Sequence, residues 1–366
     1  MSLEITNITD TNITSQEEEE IFLEKLLLYY IDQFHRQHVD NIAFLVERFI
    51  KNHKKKPIKI IYQLIKHHRQ KPYLSFIIGF FHHYGIGTVV DYQMAFSTYF
   101  QATNQKVDFK VNDVSKSDSL SRIDFFKINN RAIGLLSLGY LYYDGLGIKK
   151  DLRKAFLLFL RAAEEGSSKA LTNVGLCYFE SSGIKKNNFL GYKFDLKSAE
   201  RGNCCGQNNV AYDFIEGIGT KQDSKKGIEW YQKSVEGGNI IAKRCLGICF
   251  EKGFGVEKND EIAFHWYMEA AKENHDKAQQ NVGAGYLFGE GIKKDANKAL
   301  EWYLKSAENG NGTGQFQVGR CYKEGIGTSK DIIKAVYWLT KSKNNGNQSA
   351  EDILDDMFFL LDAFYP

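Results

Sequence analysis

Small apolar residues, bulky apolar residues and polar residues follow one another at helical spacing through most of this chain, and their order recurs with a period of 36. The clearest marks of the period are Gly-x-Gly pairs, which begin at Gly145, Gly217, Gly253, Gly289 and Gly325, with Ser181 and Gly183 in the remaining register. A second row of small residues lies six positions before each pair, at Gly139, Gly175, Ala211, Gly247, Gly283 and Gly319. Two rows that keep one register predict a repeat architecture.

A third row predicts what each repeat builds. Residues able to cap a helix N-terminus lie six positions after the start of each pair, at Asp151, Asn187, Asp223, Asn259, Asp295 and Asp331. A helix, called helix B, therefore begins there in every copy. Glycine or asparagine, which adopt the left-handed conformation easily, predict its end at Gly166, Gly202, Gly238, Asn274, Gly310 and Gly346. Helix A follows and runs to the next Gly-x-Gly turn.

The helix B pattern also predicts the core. Its small positions alternate with Trp and Tyr rows, including Trp230, Trp266, Trp302 and Trp338. Their period accounts for these aromatic residues as packing residues, without a ligand.

An earlier copy is visible around Gly79, Gly85 and Asp91. Gly79 precedes Gly139 by 60 positions, which leaves 60 − 36 = 24 extra residues in a polar stretch. The predicted organisation follows. It comprises a disordered N-terminus (1–16), a cap of three amphipathic helices (17–72), a first repeat (73–103), an inserted mobile loop (104–128), six repeats of period 36 (129–346) and a C-terminal capping helix (347–366).

The repeat motif resembles that of the SEL-one-like repeat family. One close copy contains Gly289-Glu290-Gly291, Asp295, Lys298-Ala299, Trp302-Tyr303 and Ala307-Glu308. The resemblance implies an all-α fold, a right-handed α-solenoid of antiparallel helix pairs similar to tetratricopeptide arrays, in proteins that act as adaptors. It does not imply a catalytic activity. More loosely, the lysine- and asparagine-rich style resembles fungal members of the family.

The copy from Ala170 to Gly202 departs most from this motif. It has Ser181 where glycine is usual, Gly191 where alanine is usual and Asp195 where tyrosine is usual. We expect its second helix to pack less well than the others.

Composition fits a folded protein, because 43% of the residues are hydrophobic and 32 glycines stand against 3 prolines. The formal net charge of +3 is too small for a global attraction to nucleic acid or an anionic membrane. No apolar stretch is long enough for membrane insertion, and no secretory signal is seen, so we expect a cytoplasmic protein. The basic run from Lys51 to Lys56 is either a nuclear address or, as we favour, a solvated helix end.

Motifs that could carry chemistry are weak. The Gly-x-Gly-Thr turns resemble phosphate loops, yet they recur with the repeat and lack the rest of that motif. Of the histidines before the second repeat, only His35 and His38 share a helix face, so we predict no metal and no cofactor. No two of the six cysteines are separated by a single period of 36 residues, and no kinase signature is present. The chain is predicted not to be an enzyme, with a cryptic hydrolase kept as an alternative.

The candidate site consists of helix A residues whose identity the repeat motif does not specify. If helix A lines the concave face, its free positions are Tyr140, Tyr143, Lys169, Thr172, Phe179, Asn208, Tyr212, Arg244, Glu251, Lys277, Gln280, Phe316, Arg320 and Lys323. All but Thr172, Glu251 and Phe316 are predicted to contact a partner. The early half is aromatic and the late half basic, which predicts a groove for an extended peptide, apolar at one end and carboxylate-bearing at the other. The competing interpretation is that these are unbiased surface residues.

The predicted function is therefore a non-catalytic scaffold or adaptor that binds a protein or peptide, with signal transduction as its expected setting. A regulatory docking module for a kinase or for a ubiquitin-ligase-like degradation complex is the alternative. The oligomeric state is left open.

Overall fold

The structure, a computed structural model, describes residues 15–36, 39–68, 71–104 and 122–364. These ranges contain α-helices and one short 3₁₀ helix, and no β-strand occurs in them. Most of the predicted disordered N-terminus, and residues 105–121 of the predicted insert, lie outside the described residues. Helix α6 already begins at Arg122, so the end of the predicted insert at 128 overlaps this helix.

Two compact units make up the chain, Met1–Gly206 and Gln207–Pro366. The helices of the first unit are α1 (Ser15–Arg36), α2 (Val39–Asn52), α3 (Pro57–His68), α4 (Ser75–Tyr84), α5 (Tyr92–Thr103), α6 (Arg122–Asp144), α7 (Leu152–Glu164), α8 (Ser168–Glu180) and α9 (Asn188–Glu200). Helix α10 (Cys204–Glu216) crosses the boundary. The second unit continues with α11 (Ser224–Glu236), α12 (Ile240–Lys252), α13 (Asp260–Lys272), α14 (Asp276–Phe288), α15 (Ala296–Glu308), α16 (Gly312–Glu324), α17 (Ile332–Asn344) and α18 (Gln348–Phe364).

Within each unit, helices that follow one another pack as antiparallel pairs, such as α6 with α7 and α16 with α17. Helices α4, α6, α8, α10, α12, α14 and α16 are the A helices, and each is followed by its helix B. The predicted all-α fold, an α-solenoid built from helix pairs, is confirmed.

The predicted caps are confirmed at each helix B. In α15, for example, the Asp295 side chain accepts a hydrogen bond from the Lys298 backbone N–H. The same bond is made by the caps of α5, α7, α9, α11, α13 and α17. The predicted ends are confirmed as well, since all six end residues have positive φ, including Asn274 at 68°. One polar side chain therefore starts each helix B, and one left-handed residue ends it.

The second row of small residues makes room for a ring from helix B. A Cβ atom on Gly283 would lie 2.6 Å from the Tyr303 ring, and one on Gly139 would lie 2.3 Å from the Phe159 ring. Tyr303 is 1% exposed, whereas Trp302 beside it is only partly buried at the edge of the core. In the copies that have a tyrosine in this row, Tyr231, Tyr267 and Tyr303, it is buried in the core, and the preceding tryptophan flanks it.

The departing copy, from Ala170 to Gly202, packs differently. Asp195 replaces the ring and lies fully buried against Gly175. The Phe179 ring of helix A occupies the space above Gly191, where a Cβ would lie 2.6 Å from it. In this copy the bulky side chain is therefore supplied by helix A.

A buried serine ties each of several helices B to the start of its partner helix A. The Oγ atoms of Ser306 and Ser342 donate to the carbonyl oxygens of Asp276 and Gly312, at 2.8 and 2.7 Å. Ser198 makes the same bond in an earlier repeat. Each bond joins residues 30 positions apart, so it fixes the length of the helix pair.

Within each unit, the second glycine of several of these turns contacts the start of the preceding helix B. A Cβ on Gly327 would lie 2.1 Å from the Ala296 carbonyl oxygen, and one on Gly183 would lie 2.1 Å from that of Leu152. Gly87 makes the equivalent approach to Pro57, where α3 begins. Helix α3 therefore occupies the helix B position ahead of the first recognisable repeat.

Helix α1 completes the core of the first unit. Leu26, Tyr30 and Phe34 are at most 2% exposed, and the Tyr30 ring lies 5.4 Å from the Phe76 ring and 4.6 Å from the Phe80 ring of α4. The N-terminal helix thus packs on helix A of the first repeat.

Candidate partner-binding surface

The aromatic half of the predicted site lies in the first unit and is engaged within the chain. The Tyr140 hydroxyl accepts a hydrogen bond from the Asn173 side chain at 2.9 Å. The Tyr143 hydroxyl donates to the Glu180 carboxylate. Burial and this carboxylate both raise the pKa of Tyr143. Tyr140, Tyr143 and Phe179 are all half-buried, so each offers one edge to a partner.

Lys169 is placed where a partner cannot reach it. Its side chain is 4% exposed, and its Nζ donates to the Phe34 carbonyl oxygen at 2.8 Å. The same Nζ lies 4.6 Å from the centroid of the Phe34 ring. Phe34 is in the last turn of α1, where helix carbonyl groups lack partners inside the helix. Lys169 therefore caps the C-terminal end of α1.

Helix α10 carries two of the predicted residues, both in the second unit. Tyr212 is 50% exposed and is open to a partner. Asn208 is half-buried, and its Oδ1 atom is buried with no hydrogen-bond partner among the described residues.

The basic half of the predicted site lies on the next three A helices of the second unit. Arg244 is on α12, Lys277 and Gln280 are on α14, and Arg320 and Lys323 are on α16. Lys277 is exposed and the other four are half-buried. Arg320 pairs with Glu324 at 3.4 Å, one turn along the same helix. No ion pair is formed by Arg244, Lys277 or Lys323 within the ranges that the structure describes.

The charges of Arg244 and Lys277 both act on the His275 side chain. The pKa of His275 is lowered, first by burial and further by the positive charges of Arg244 and Lys277, while Asp276 opposes the shift. Asp276 exerts the strongest of these three charge effects, so the start of α14 carries both signs, and Arg244 and Lys277 supply its positive charges. The Arg244 guanidinium is held there, because its Nε donates to the Asn281 Oδ1 at 3.0 Å.

Acidic groups border this region. The Tyr267 hydroxyl donates to Glu251 at 2.5 Å. Glu251, Tyr267, Asn281, Gly285 and Glu290 contribute to a cavity of about 40 Å³, which is room for a water molecule and too small for a side chain. The sequence pattern did not single out Asn281, although it lies four positions before Gly285 on the helix face that carries the predicted residues. The sequence feature that could have identified Asn281 is its amide side chain, one helical turn after Lys277.

The buried cysteines do not supply a nucleophile. Burial raises the pKa of the Cys177 and Cys249 thiols to about 12 and that of Cys321 to about 11. These thiols stay protonated and unreactive at neutral pH. Among the residues that the structure describes, no group of three or more His, Cys, Asp or Glu side chains is arranged to hold a metal ion. Nor is any helix in the described ranges long and apolar enough to cross a membrane.

Comparison with known proteins was made on both sequence and structure. The family model described as the Sel1 repeat matches seven segments, residues 75–105, 132–167, 168–203, 206–239, 246–275, 276–311 and 313–347. A Sel1 repeat protein from Oxalobacter formigenes is 34% identical, with 58% of this chain and 84% of that chain covered and a TM-score of 0.53. A protective antigen of uropathogenic Escherichia coli strains, described as displaying an SLR fold, is 26% identical over 82% of this chain and 68% of that chain, with a TM-score of 0.48. No curated protein sequence matches this chain.

Proposed function

Because the chain belongs to the Sel1 repeat family, a fold that commonly serves in protein interaction, we propose that it is a non-catalytic scaffold whose second unit binds an acidic segment of a protein partner. The observation that carries the proposal is the row of cations on helices A, in which Arg244 and Lys277 form no ion pair within the described residues. Arginine and lysine donors held on rigid helices suit carboxylates.

Helix A lines the concave side in tetratricopeptide-like arrays, and we assign the binding face to it here. Tyr212 is half exposed on α10, the helix A that precedes the one with Arg244, so the partner segment places an apolar residue there. Arg320 and Lys323 on α16 extend the positive face, with Glu324 taking part of the charge of Arg320. We include a cytoplasmic location and a role in signalling assemblies in the proposal, and six free cysteines suit a reducing compartment.

The test is a parallel capture experiment with the intact protein and the variant Arg244→Glu/Lys277→Glu/Arg320→Glu/Lys323→Glu. We expect proteins retained by the unaltered chain to be lost from the variant, because four cations become four carboxylates on the binding face. A fluorescent peptide of alternating Glu and Leu gives a defined probe, and its affinity should fall at least ~100-fold in the variant. Affinity should also fall with added salt, because the interaction is between charges at a surface.

The matched control is Lys221→Glu/Lys225→Glu/Lys293→Glu/Lys330→Glu. These four lysines are exposed in the same unit but lie outside helices A, and the net charge changes by the same amount. The control should keep the partners and the affinity for the peptide. If both variants lose them equally, the effect comes from total charge and the assignment to helix A is wrong. If neither does, the basic positions are ordinary surface residues.

A further inference from the structure

A long stretch of the first unit contains no acidic residue. From Arg48 to Val90 the chain has no Asp and no Glu. The same stretch contains nine basic residues, Arg48, Lys51, Lys54, Lys55, Lys56, Lys59, Lys66, Arg69 and Lys71. In the whole chain, 48 basic residues are nearly balanced by 45 acidic ones. The segment from Arg48 to Val90 is therefore strongly basic, although the net charge of the whole protein is small.

The lysines of this segment are displayed to solvent. Lys51, Lys54, Lys55, Lys56, Lys59 and Lys66 are all exposed. None of the six forms an ion pair within the part of the chain that the structure describes. Some lysines of the repeats differ in this respect, since Lys226, Lys298 and Lys334 each pair with the aspartate that caps their helix. The six lysines thus form a positive surface that no carboxylate of the described residues neutralises by an ion pair.

Helix α3 adds a row of exposed apolar side chains to this surface. Ile58, Tyr62 and Ile65 are 64%, 70% and 50% exposed. Their spacing of four and three residues places them on one face of the helix. The opposite side supplies the packing, since Ile60, Ile61 and Leu64 are at most 5% exposed. Helix α3 is therefore apolar on two faces, of which only one is covered.

Charges border the uncovered face. Lys59 follows Ile58 and Lys66 follows Ile65, and consecutive residues are about 100° apart around a helix, so both lysines flank the apolar row on the same side. Lys54, Lys55 and Lys56 lie just before the first turn of α3. We call Ile58, Tyr62, Ile65, Lys59, Lys66 and the Lys54–Lys56 run the α3 face.

We propose that the α3 face binds the surface of an anionic lipid bilayer, with Ile58, Tyr62 and Ile65 in the headgroup layer and the lysines against the lipid phosphates and carboxylates. The helix lies on the bilayer and does not span it. A polybasic run next to an exposed apolar row supplies the two signals that stable peripheral attachment requires. Tyrosine is also a residue that favours the interface between membrane and water.

The observations favour lipid over an acidic protein. The apolar side chains protrude from the helix, and a protein partner would need a matching concave groove, whereas the headgroup layer adapts to any convex shape. Every cation of the face is lysine, a compact point charge suited to a diffuse anionic surface, where arginine would suit bidentate recognition of a fixed carboxylate. The face is also on a different element from the helix A surface of the second unit, so the two proposals stand independently.

Vesicle flotation with the full chain tests the proposal. The protein should float with vesicles of phosphatidylcholine and phosphatidylserine and stay behind with phosphatidylcholine alone. Each lysine near an anionic surface strengthens binding roughly five-fold. Lys54→Glu/Lys55→Glu/Lys59→Glu should therefore weaken binding at least ~100-fold, and Ile58→Ser/Tyr62→Ser should weaken it at least ~10-fold by removing the apolar contribution. Rising salt should release the unaltered protein, a readout that needs no variant.

Two variants serve as matched controls. Lys185→Glu/Lys186→Glu/Lys225→Glu makes the same charge change at exposed lysines elsewhere. Ile333→Ser/Tyr337→Ser removes the same residue types from α17, where they are 84% and 52% exposed at the same helical spacing. Both controls should float like the unaltered protein. The proposal is overturned if the protein ignores anionic vesicles at low salt, if the controls lose binding equally, or if it binds only an acidic amphipathic peptide through this face.

Discussion

At the scale of single residues, Asp213 is the least expected side chain in the second unit. Its position in helix A is filled by Leu141, Cys177, Cys249 and Cys321 in other copies, all of them buried. Asp213 is 3% exposed, and its Oδ2 atom has no hydrogen-bond partner among the described residues. Burial raises the pKa of this carboxyl to about 7. A site shaped for a small apolar group therefore holds an acid.

This carboxyl should make stability fall as pH rises. Its pKa is raised in the folded state, so between about pH 4 and pH 7 the folded protein holds a proton that the unfolded chain has released. The loss reaches the order of 4 kcal/mol above pH 7. We expect Asp213→Cys to remove this slope and raise the free energy of unfolding at pH 8, measured by urea titration between pH 5 and pH 8. A slope unchanged in the variant would assign the pH dependence to other groups.

At the scale of elements, the two kinds of positive-φ glycine have different roles. Gly310 closes a helix B, with φ of 88° and no atom within 4 Å of the point that a Cβ would occupy. Gly327 has φ of 66° as well, but a Cβ there would lie 2.1 Å from the Ala296 carbonyl oxygen. Gly310 is required only by its left-handed backbone conformation. Gly327 is required by that conformation and also by the close contact with the start of α15.

Replacement of Gly310 and of Gly327 by alanine should lower the free energy of unfolding by different amounts. Gly310→Ala should cost about 1 kcal/mol, the strain of a side chain in the left-handed region. Gly327→Ala should cost at least ~3 kcal/mol, because the backbone of α15 or of the turn must also move. Denaturant unfolding of both variants measures the difference. Equal costs would show that the approach between the two elements contributes no free energy.

Helix α1 is held at its C-terminal end by Lys169. Lys169→Met keeps the aliphatic stem and removes the charged donor, which should lower the free energy of local opening of α1 by roughly 2 kcal/mol. Amide hydrogen exchange would report this as faster exchange in the last turns of α1, with α16 as an internal reference that should not change. Unchanged protection of α1 would mean that Tyr30 and its aromatic neighbours hold the helix alone.

At the scale of the whole molecule, periodic contacts were predictable and contacts outside the period were not. The caps, the helix ends and the helix pairs follow from residues such as Asp295 and Gly310, whose local preference recurs in every copy. The Trp and Tyr rows were predicted as core, and the structure separates them into half-buried tryptophans and buried tyrosines, because one ring faces the small residue of helix A and the other does not.

Contacts between residues that are far apart in the sequence were not predicted. Lys169 was assigned to a partner surface because its helix position is free in the repeat, but α1 reaches it from 135 residues away. Helix α3 was assigned to an N-terminal cap of three amphipathic helices, yet Gly87 contacts it as Gly327 contacts α15. The surroundings of Lys169 and of α3 depend on contacts with segments that are not their equivalents in other repeats, so a periodic sequence pattern does not predict them.

The serine bonds inside the helix pairs bear on how the gene can change. Each hydroxyl reaches a carbonyl 30 residues earlier, so the loss of one codon between them would turn the serine by about 100° around helix B and break the bond. Duplication or loss of a block of 36 codons leaves every such bond intact, because each is closed within its own pair. The number of helix pairs and the length of the connections between pairs can therefore change without breaking these bonds, whereas the length inside a pair cannot.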